Sequence, residues 1–450
     1  MSTVTASAFA YPRERFADIV QAAMKLAKNG GASACEAEIS EGFGQNVSVR
    51  QGEVETIEYN RDKGIGITVY VGQRKGYAST SDLSPKAVED AVRAALSIAK
   101  RTAEDDCAGL ADAALLAGNA VPDLDLYHPW ALPVEQAIDL ARLCEASARA
   151  VDPRITNSDG ASVSTQQSHF IYANSNGFCN GYATSRHSLS CSVIAEENGA
   201  MQRDYWYSVA RNAGDLDTPE LVGQTAGART VRRLGARKIE TTQVPVLFEA
   251  PLAAGLLGHF VGAVSGGALY RKSSFLLDSL GKQVFSPLVT IRELPHLVRA
   301  LGSSPFDSEG VATHDRDVVS QGIVNGYFLA SYSARKLGMR STGSAGGNHN
   351  LIVDSTGEDF AGLLKKMDRG LLVTELLGHG VNSVTGDYSR GAAGFWVENG
   401  QIQFPVEEIT VAGNLRDMFM GVAGIGSDVL VRGAKQCGSI LIDRMTVAGN

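Results

Sequence analysis

The chain has 450 residues, 44% of them hydrophobic and 20% charged, with a net charge of −8 from 41 Lys+Arg against 49 Asp+Glu. This suits two or three packed domains at roughly 150 residues each and excludes a disordered or fibrous chain. No Lys/Arg-rich run offers a footprint for nucleic acid or an anionic membrane surface.

The six cysteines (Cys35, Cys107, Cys144, Cys179, Cys191 and Cys437) are scattered without a C-x-x-C pair, which points to reduced thiols and a cytoplasmic setting. The opening "MSTVTASAFAYPRERF" has no basic end followed by an apolar run, so no secretory signal is expected. The longest uncharged stretch, residues 250–270, is diluted by Pro251, His259, Ser265 and several glycines, and a membrane span is not expected.

Phe16, Ile19, Val20, Ala23 and Ala27 recur at helical spacing, and "NGG" at 29–31 stops that helix. Short runs rich in Val, Ile and Tyr follow at 37–40, 46–50, 54–60, 64–71 and 75–80, with "QGE" and "VGQRKG" as hairpin turns. Ser84 and Pro85 then open a second helix as its cap and first residue. After a connector at about 119–132 the plan repeats. "PVEQAIDLARLCEASARAV" is a helix, 162–173, 178–195 and 201–210 are strand-like, and "TPELVGQTAGARTVRRLG" closes as a helix. The texture changes near Thr241 to many short strands with glycine punctuation, a hairpin signal "ENGQ" at 398–401 and one further helix, "EDFAGLLKKM". The expected fold class is α+β: two helix–antiparallel strands–helix units (1–118 and 119–240), then a β-rich C-terminal domain (241–450) with a few helices.

Chemistry is sparse. "GLLGHFVGAVSGG" at 255–267 has the character of a helix, and Gly258, Gly262 and Gly266 fall on one stripe of it. Each glycine costs about 1 kcal/mol against alanine there, and close approach of another backbone would return that energy. His259 is the lone candidate ligand on that helix, but no carboxylate lies between Pro251 and Asp278, so the helical zinc signature is absent. A site assembled from distant residues (His259, His349, His379 and Cys437) stays open as an alternative. The loop "STGSAGGNHN" at 341–350 is not a phosphate-binding loop, and no G-x-S-x-G elbow supports a serine hydrolase.

Longer stretches carry more. "GITVYVGQRKGYASTSDLSP", "SRHSLSCSVIAEENGAMQRDYWY", "YRKSSFLLDSLGKQV", "PFDSEGV", "SYSARKLG", "ELLGHGVNSVTGDYSRGAAGFWVENG" and "EITVAGNLRDM" together resemble the TldD/PmbA metallopeptidase family over nearly the whole chain. The resemblance implies a cytosolic subunit of a heterodimer that cleaves unfolded peptides, including peptide leaders and antitoxins. It also implies a TldD-type partner whose matching helix carries H-E-x-x-x-H and whose zinc is completed by a cysteine nearer the C-terminus.

On this sequence those helix positions fall at Gly258, His259 and Ala263, and the cysteine position falls at about 424–426, "GIG". Cys437 lies too late to replace it. The resemblance therefore implies no catalytic residue and no metal in this chain, zinc in the TldD-type partner, and a metal-free, supporting role here. The glycines would then serve packing, against that partner or within the chain. Residues expected to face substrate are His259, Arg271, His349 and Arg390. A self-sufficient peptidase with another His/Cys site, or a peptide-binding regulatory protein, are the alternative readings.

Overall fold

The computed structural model describes residues 9–118 and 120–449. The first eight residues, where no secretory signal is expected, Asn119 at the head of the expected connector, and Asn450 lie outside the described residues.

The N-terminal half runs α1 (Arg13–Asn29), β1 (Ala34–Arg50), β2 (Glu53–Val71), β3 (Arg74–Thr80) and α2 (Pro85–Ala99). It continues with α3 (Val134–Arg149), β4 (Asn157–Asn174), β5 (Cys179–Asn180), β6 (Ala183–Glu197), β7 (Ala200–Ala210) and α4 (Pro219–Val231). Ser84 and Thr218 cap α2 and α4, accepting from the amides of Ala87 and Leu221. Gln51 and Gly52 both adopt positive φ (53° and 80°), the geometry that lets a two-residue turn join β1 to β2 without splaying them.

The short runs expected at 37–40 and 46–50 are one strand, and so are those at 54–60 and 64–71. Polar residues inside the strands hid their continuity. Glu41 and Gln45 interrupt the apolar alternation of β1, yet both are buried and partnered. Glu41 accepts from the amides of Ala10 and Tyr11 (3.0 and 3.2 Å), and Gln45 donates to the Leu132 carbonyl (2.8 Å).

The two helix–strands–helix units share one antiparallel sheet, in the order β3-β2-β1-β4-β6-β7, with β5 against β4. Odd-numbered residues of β1, and of β4 from Ala161 onward, face the helices. Cys35, Ala37, Ile39, Ile171 and Ala173 pack under α1 and α2, while Val47, Val49, Ala161 and Val163 pack under α3 and α4. Gly223 on α4 exists for this contact, since a Cβ there would collide with the Cys144 carbonyl of α3.

The C-terminal part contains β8 (Thr242–Phe248), α5 (Ala250–Ala263), α6 (Gly266–Tyr270), β9 (Ile291–Glu293), β10 (Arg316–Ser320), β11 (Ile323–Val324), α7 (Ser331–Lys336), β12 (Leu351–Val353) and α8 (Phe360–Met367). It ends with β13 (Gly370–Leu377), β14 (Asp387–Glu398), β15 (Gln401–Asn414), α9 (Leu415–Met420), β16 (Val422–Ile425), β17 (Lys435–Gln436) and β18 (Ile440–Ala448). The path β15-β14-β13-β8-β18 closes on itself, because β18 also pairs with β15 through Thr446, Val447 and Ala448. A second sheet runs β11-β10-β9-β12-β17. Phe248, Phe260, Phe285, Ile291, Phe419 and Ile442 belong to the core between them.

One expectation needs correction. Residues 255–267 are not one helix: α5 ends at Ala263, and Ser265 starts α6 by accepting from the amide of Ala268 (3.4 Å). Gly266 therefore leaves the stripe of Gly258 and Gly262.

Candidate functional site

α5 begins at a well-tied corner. Glu249 precedes it, and its carboxylate pairs with Arg229 (2.9 Å) and Arg232 (3.4 Å) near the end of α4. Pro251 fits the first turn, where a backbone N–H would have no partner. The amide of Ala250 donates to Ser439 Oγ (3.0 Å), and Ser439 donates in turn to Asp428 (2.6 Å). Ala253, Leu256, Leu257, Phe260 and Ala263 point into the core.

The other face is nearly bare. Gly255 and Gly262 are exposed, and a Cβ at either would meet nothing within 4 Å. At Gly258 the nearest atom is Cε of Lys435, 4.0 Å away. Among the described residues no backbone from outside α5 approaches these three glycines closely. Gly266 is the opposite case, because a Cβ there would strike the side chain of Ser333.

His259 is half-buried beside this bare face. Its ring meets Tyr388 edge-on, with centroids 5.9 Å apart and planes at 81°. Burial, and then the positive charge of Arg390, hold its pKa below the ordinary histidine value. Tyr388 is 1% exposed, and burial pushes its phenol up to about 12 against the opposing effect of Arg390. The alternation of β14 puts Tyr388 and Arg390, two residues apart, on one side of the strand. At neutral pH the result is a neutral imidazole, a neutral phenol and one guanidinium. Lys435, beside Gly258, is held below the usual lysine range by burial.

The structure brings together two of the four residues expected to face substrate. Arg271 is exposed and donates to the Tyr270 hydroxyl (3.1 Å), its guanidinium over that ring. His349 is buried in the glycine-rich loop, where its amide donates to Glu293 (2.7 Å) and its Nε2 pairs with the Gly343 carbonyl (2.9 Å). Those bonds hold the loop. His349 also borders a cavity of about 320 Å³ that is lined by Ser308, Gly346 and Asn348 as well.

The residues at α5 do not fit a zinc ion. Gly258 and Ala263 offer no donor atom, and the loop at 424–426 carries no thiol. Cys437 is buried among core side chains, its thiol pushed up to about 12. Among the described residues no group of three His, Cys, Asp or Glu is placed to hold a metal, which includes the distant set His259, His349, His379 and Cys437.

Two adjoining clefts went unseen in the sequence. They measure about 820 and 790 Å³ and lie where the polar face of the large sheet meets the loop at Glu309. Glu36 borders both and accepts from the hydroxyls of Tyr70 (3.1 Å) and Tyr172 (2.7 Å). Burial and the nearby Glu36 raise the pKa of Glu38. Glu36 and Glu309 are 273 positions apart (309 − 36); Glu309 lies in the stretch "PFDSEGV", Glu36 in none of the stretches quoted above. Only the strand alternation of β1 hinted that Glu36 and Glu38 share a face.

Three family models cover the chain in order: PmbA/TldA metallopeptidase domain 1 at residues 35–99, the central domain at 127–234 and the C-terminal domain at 241–449. The chain is 52% identical over 437 residues to Metalloprotease PmbA of Escherichia coli O157:H7, covering 97% of each. It matches a crystal structure from Bacteroides thetaiotaomicron, described as a modulator of DNA gyrase, with TM-score 0.92 and 29% identity over 97% of this chain and 99% of that one. TldE from Thermococcus kodakarensis shares the fold, with TM-score 0.83 at 18% identity over 96% of this chain and 100% of that one. The chain belongs to the PmbA/TldD metallopeptidase family. Among the described residues no helix is long and apolar enough to cross a membrane.

Proposed function

We propose that this chain is the metal-free, TldE-type subunit of a cytoplasmic heterodimeric peptidase. Its partner is a TldD-type chain that carries the zinc, and the pair cleaves unfolded peptides, peptide leaders and antitoxins among them. The reading rests on α5. The three helix positions that would supply two ligands and a base hold Gly258, His259 and Ala263: Gly258 and His259 border the bare face of α5, and Ala263 points into the core. Zinc activates water by lowering its pKa, and that chemistry needs a donor set this helix lacks. His259, Tyr388 and Arg390 then serve to shape and polarise the wall of a peptide channel.

The test is co-expression with a TldD-type relative. The expected result is a complex that cleaves an unfolded peptide and holds zinc in the partner alone, while the isolated chain shows neither zinc nor cleavage. Stoichiometric zinc in the isolated chain, or peptide cleavage by it, would overturn the proposal and favour a self-sufficient peptidase. Failure to form the complex would favour a regulatory peptide-binding protein.

A further inference from the structure

Arg390 is a half-buried cation without a counter-ion. Among the described residues no carboxylate lies within ion-pair distance of it, whereas Arg229 and Arg316 are each held by one, Glu249 at 2.9 Å and Glu293 at 2.6 Å. Arg390 Nε is shielded from solvent and has no hydrogen-bond partner, and the same holds for the hydroxyl of Tyr388, a residue 1% exposed. The guanidinium lies near enough to act on that phenol, but the two groups do not close a well-aligned hydrogen bond. His259, edge-on to Tyr388, makes no hydrogen bond through its ring within the described residues. Buried polar groups are normally satisfied, and a single acceptor would serve both the phenol and the guanidinium.

The bare face of α5 gives access to this group. The helix-surface neighbours of His259, four residues before it and three after, are Gly255 and Gly262. Both are exposed, with open space where a Cβ would stand, so no side chain at either position overhangs the imidazole. Lys435, beside Gly258, also pairs with no carboxylate and draws an anion toward this face. The chemistry of the group selects the ligand. His259 and Tyr388 are neutral at pH 7, and the full charge beside them sits on a planar fork of N–H donors, which matches the two oxygens of a carboxylate.

We propose that Arg390, with the Tyr388 hydroxyl and the His259 ring beside it, seats a carboxylate of a bound peptide. The guanidinium donates to the carboxylate oxygens and gains its missing counter-ion, and the Tyr388 hydroxyl gains the acceptor it lacks. The carboxylate comes from the peptide C-terminus or from an Asp or Glu side chain, and the chemistry of the seat is the same for both. A peptide as the ligand rests on the reading of this face as the wall of a peptide channel, while the need for an anion rests on the unpaired groups alone.

The test is calorimetric titration of the isolated full chain with three N-acetylated Gly/Ala hexapeptides: one with a free C-terminal carboxylate, one amidated, and one amidated with a central Glu. A carboxylate-bearing peptide should bind at least about tenfold more tightly than the plain amide. A gain from the free C-terminus alone assigns the terminal carboxylate, and a gain from the Glu peptide alone assigns a side chain. Arg390→Gln should erase the preference. Arg390→Lys should keep only part of it, because lysine carries the charge without the fork. Tyr388→Phe should weaken binding of the carboxylate severalfold yet leave the unliganded chain at least as stable as wild type, a combination that a tyrosine kept for packing and internal bonding would not give. No binding, or equal binding of all three peptides, overturns the proposal, as does a preference that survives Arg390→Gln. Inorganic phosphate binding more tightly than either carboxylate peptide overturns the carboxylate assignment. None of these outcomes bears on which chain holds zinc, which the co-expression experiment decides separately.

Discussion

His259 meets Tyr388 edge to face at 5.9 Å, and Arg390, two residues further along the same strand, faces both. Burial and this guanidinium act on the imidazole in the same direction, both favouring its neutral form. The His259 ring should therefore titrate below the ordinary value of 6.5. Arg390→Gln should move its midpoint upward toward that value, because the repelling charge is gone and the burial remains. Proton NMR of the imidazole across pH 4.5–8 reads both. A midpoint that stays fixed in the variant would remove Arg390 from this site.

The glycines near His259 separate into two kinds with opposite expected outcomes. Gly262 is exposed and meets nothing, so Gly262→Ala should stabilise the isolated chain by about 1 kcal/mol through helix propensity alone. At Gly266 a methyl group would strike Ser333, and Gly266→Ala should cost about 1–3 kcal/mol. Urea unfolding of the two variants beside wild type measures the contrast. A Gly262→Ala chain that is more stable alone yet loses activity in a complex would show that the bare face is kept open for a partner or a peptide.

The corner before α5 joins the N-terminal and C-terminal parts of the chain through charge. Glu249 accepts from Arg229 (2.9 Å), and both side chains are largely buried. Removing Glu249 leaves the buried Arg229 with Asp204 (3.3 Å) as its remaining acidic partner, so the cost falls at the low end of the about 3–5 kcal/mol typical of a broken buried pair. Glu249→Ala should therefore destabilise the chain by roughly 3 kcal/mol. Glu58→Ala, at an exposed position of β2, should change stability by about 0.5 kcal/mol or less. Comparable losses in the two variants, measured by urea unfolding, would mean that the corner is held by packing rather than by this pair.

Much of the fold was legible because it follows from periodicity. The buried face of α1 is the set Phe16, Ile19, Val20, Ala23 and Ala27 that recurs at helical spacing, and the caps at Ser84 and Thr218 stand at the starts of α2 and α4. Strand lengths were less legible, since Glu41 and Gln45 are polar residues in the interior whose partners, Ala10, Tyr11 and Leu132, come from elsewhere in the chain. The merging of two units into one sheet was hidden for a related reason: β1–β4 pairing joins residues more than 100 positions apart, and no local pattern encodes it. At the site, the proximity of His259 to Arg390 depends on β14 passing α5. The stripe containing Gly266 was misread because Ser265, a helix-starting residue, lay inside an otherwise continuous apolar run.

Asp307 gives the clearest pH signature. It is 4% exposed and accepts from the amides of Glu309, Val311 and Ala345, at 2.9, 3.0 and 2.9 Å. Burial dominates nonetheless, raising its pKa from the ordinary 3.8 to about 6. Between those values the folded chain holds a proton that the unfolded chain has released. The stability owed to this group is thus fully present below pH 3.8 and is lost as pH rises through 6. The full span is worth about 3 kcal/mol at most. Asp307→Asn removes the titration, so wild type should gain on the variant as pH falls from 7 to 5. Urea unfolding of both proteins at the two pH values measures the difference. An equal gap at both would place the titration of Asp307 outside this window and assign its stabilising role to the three amide bonds alone.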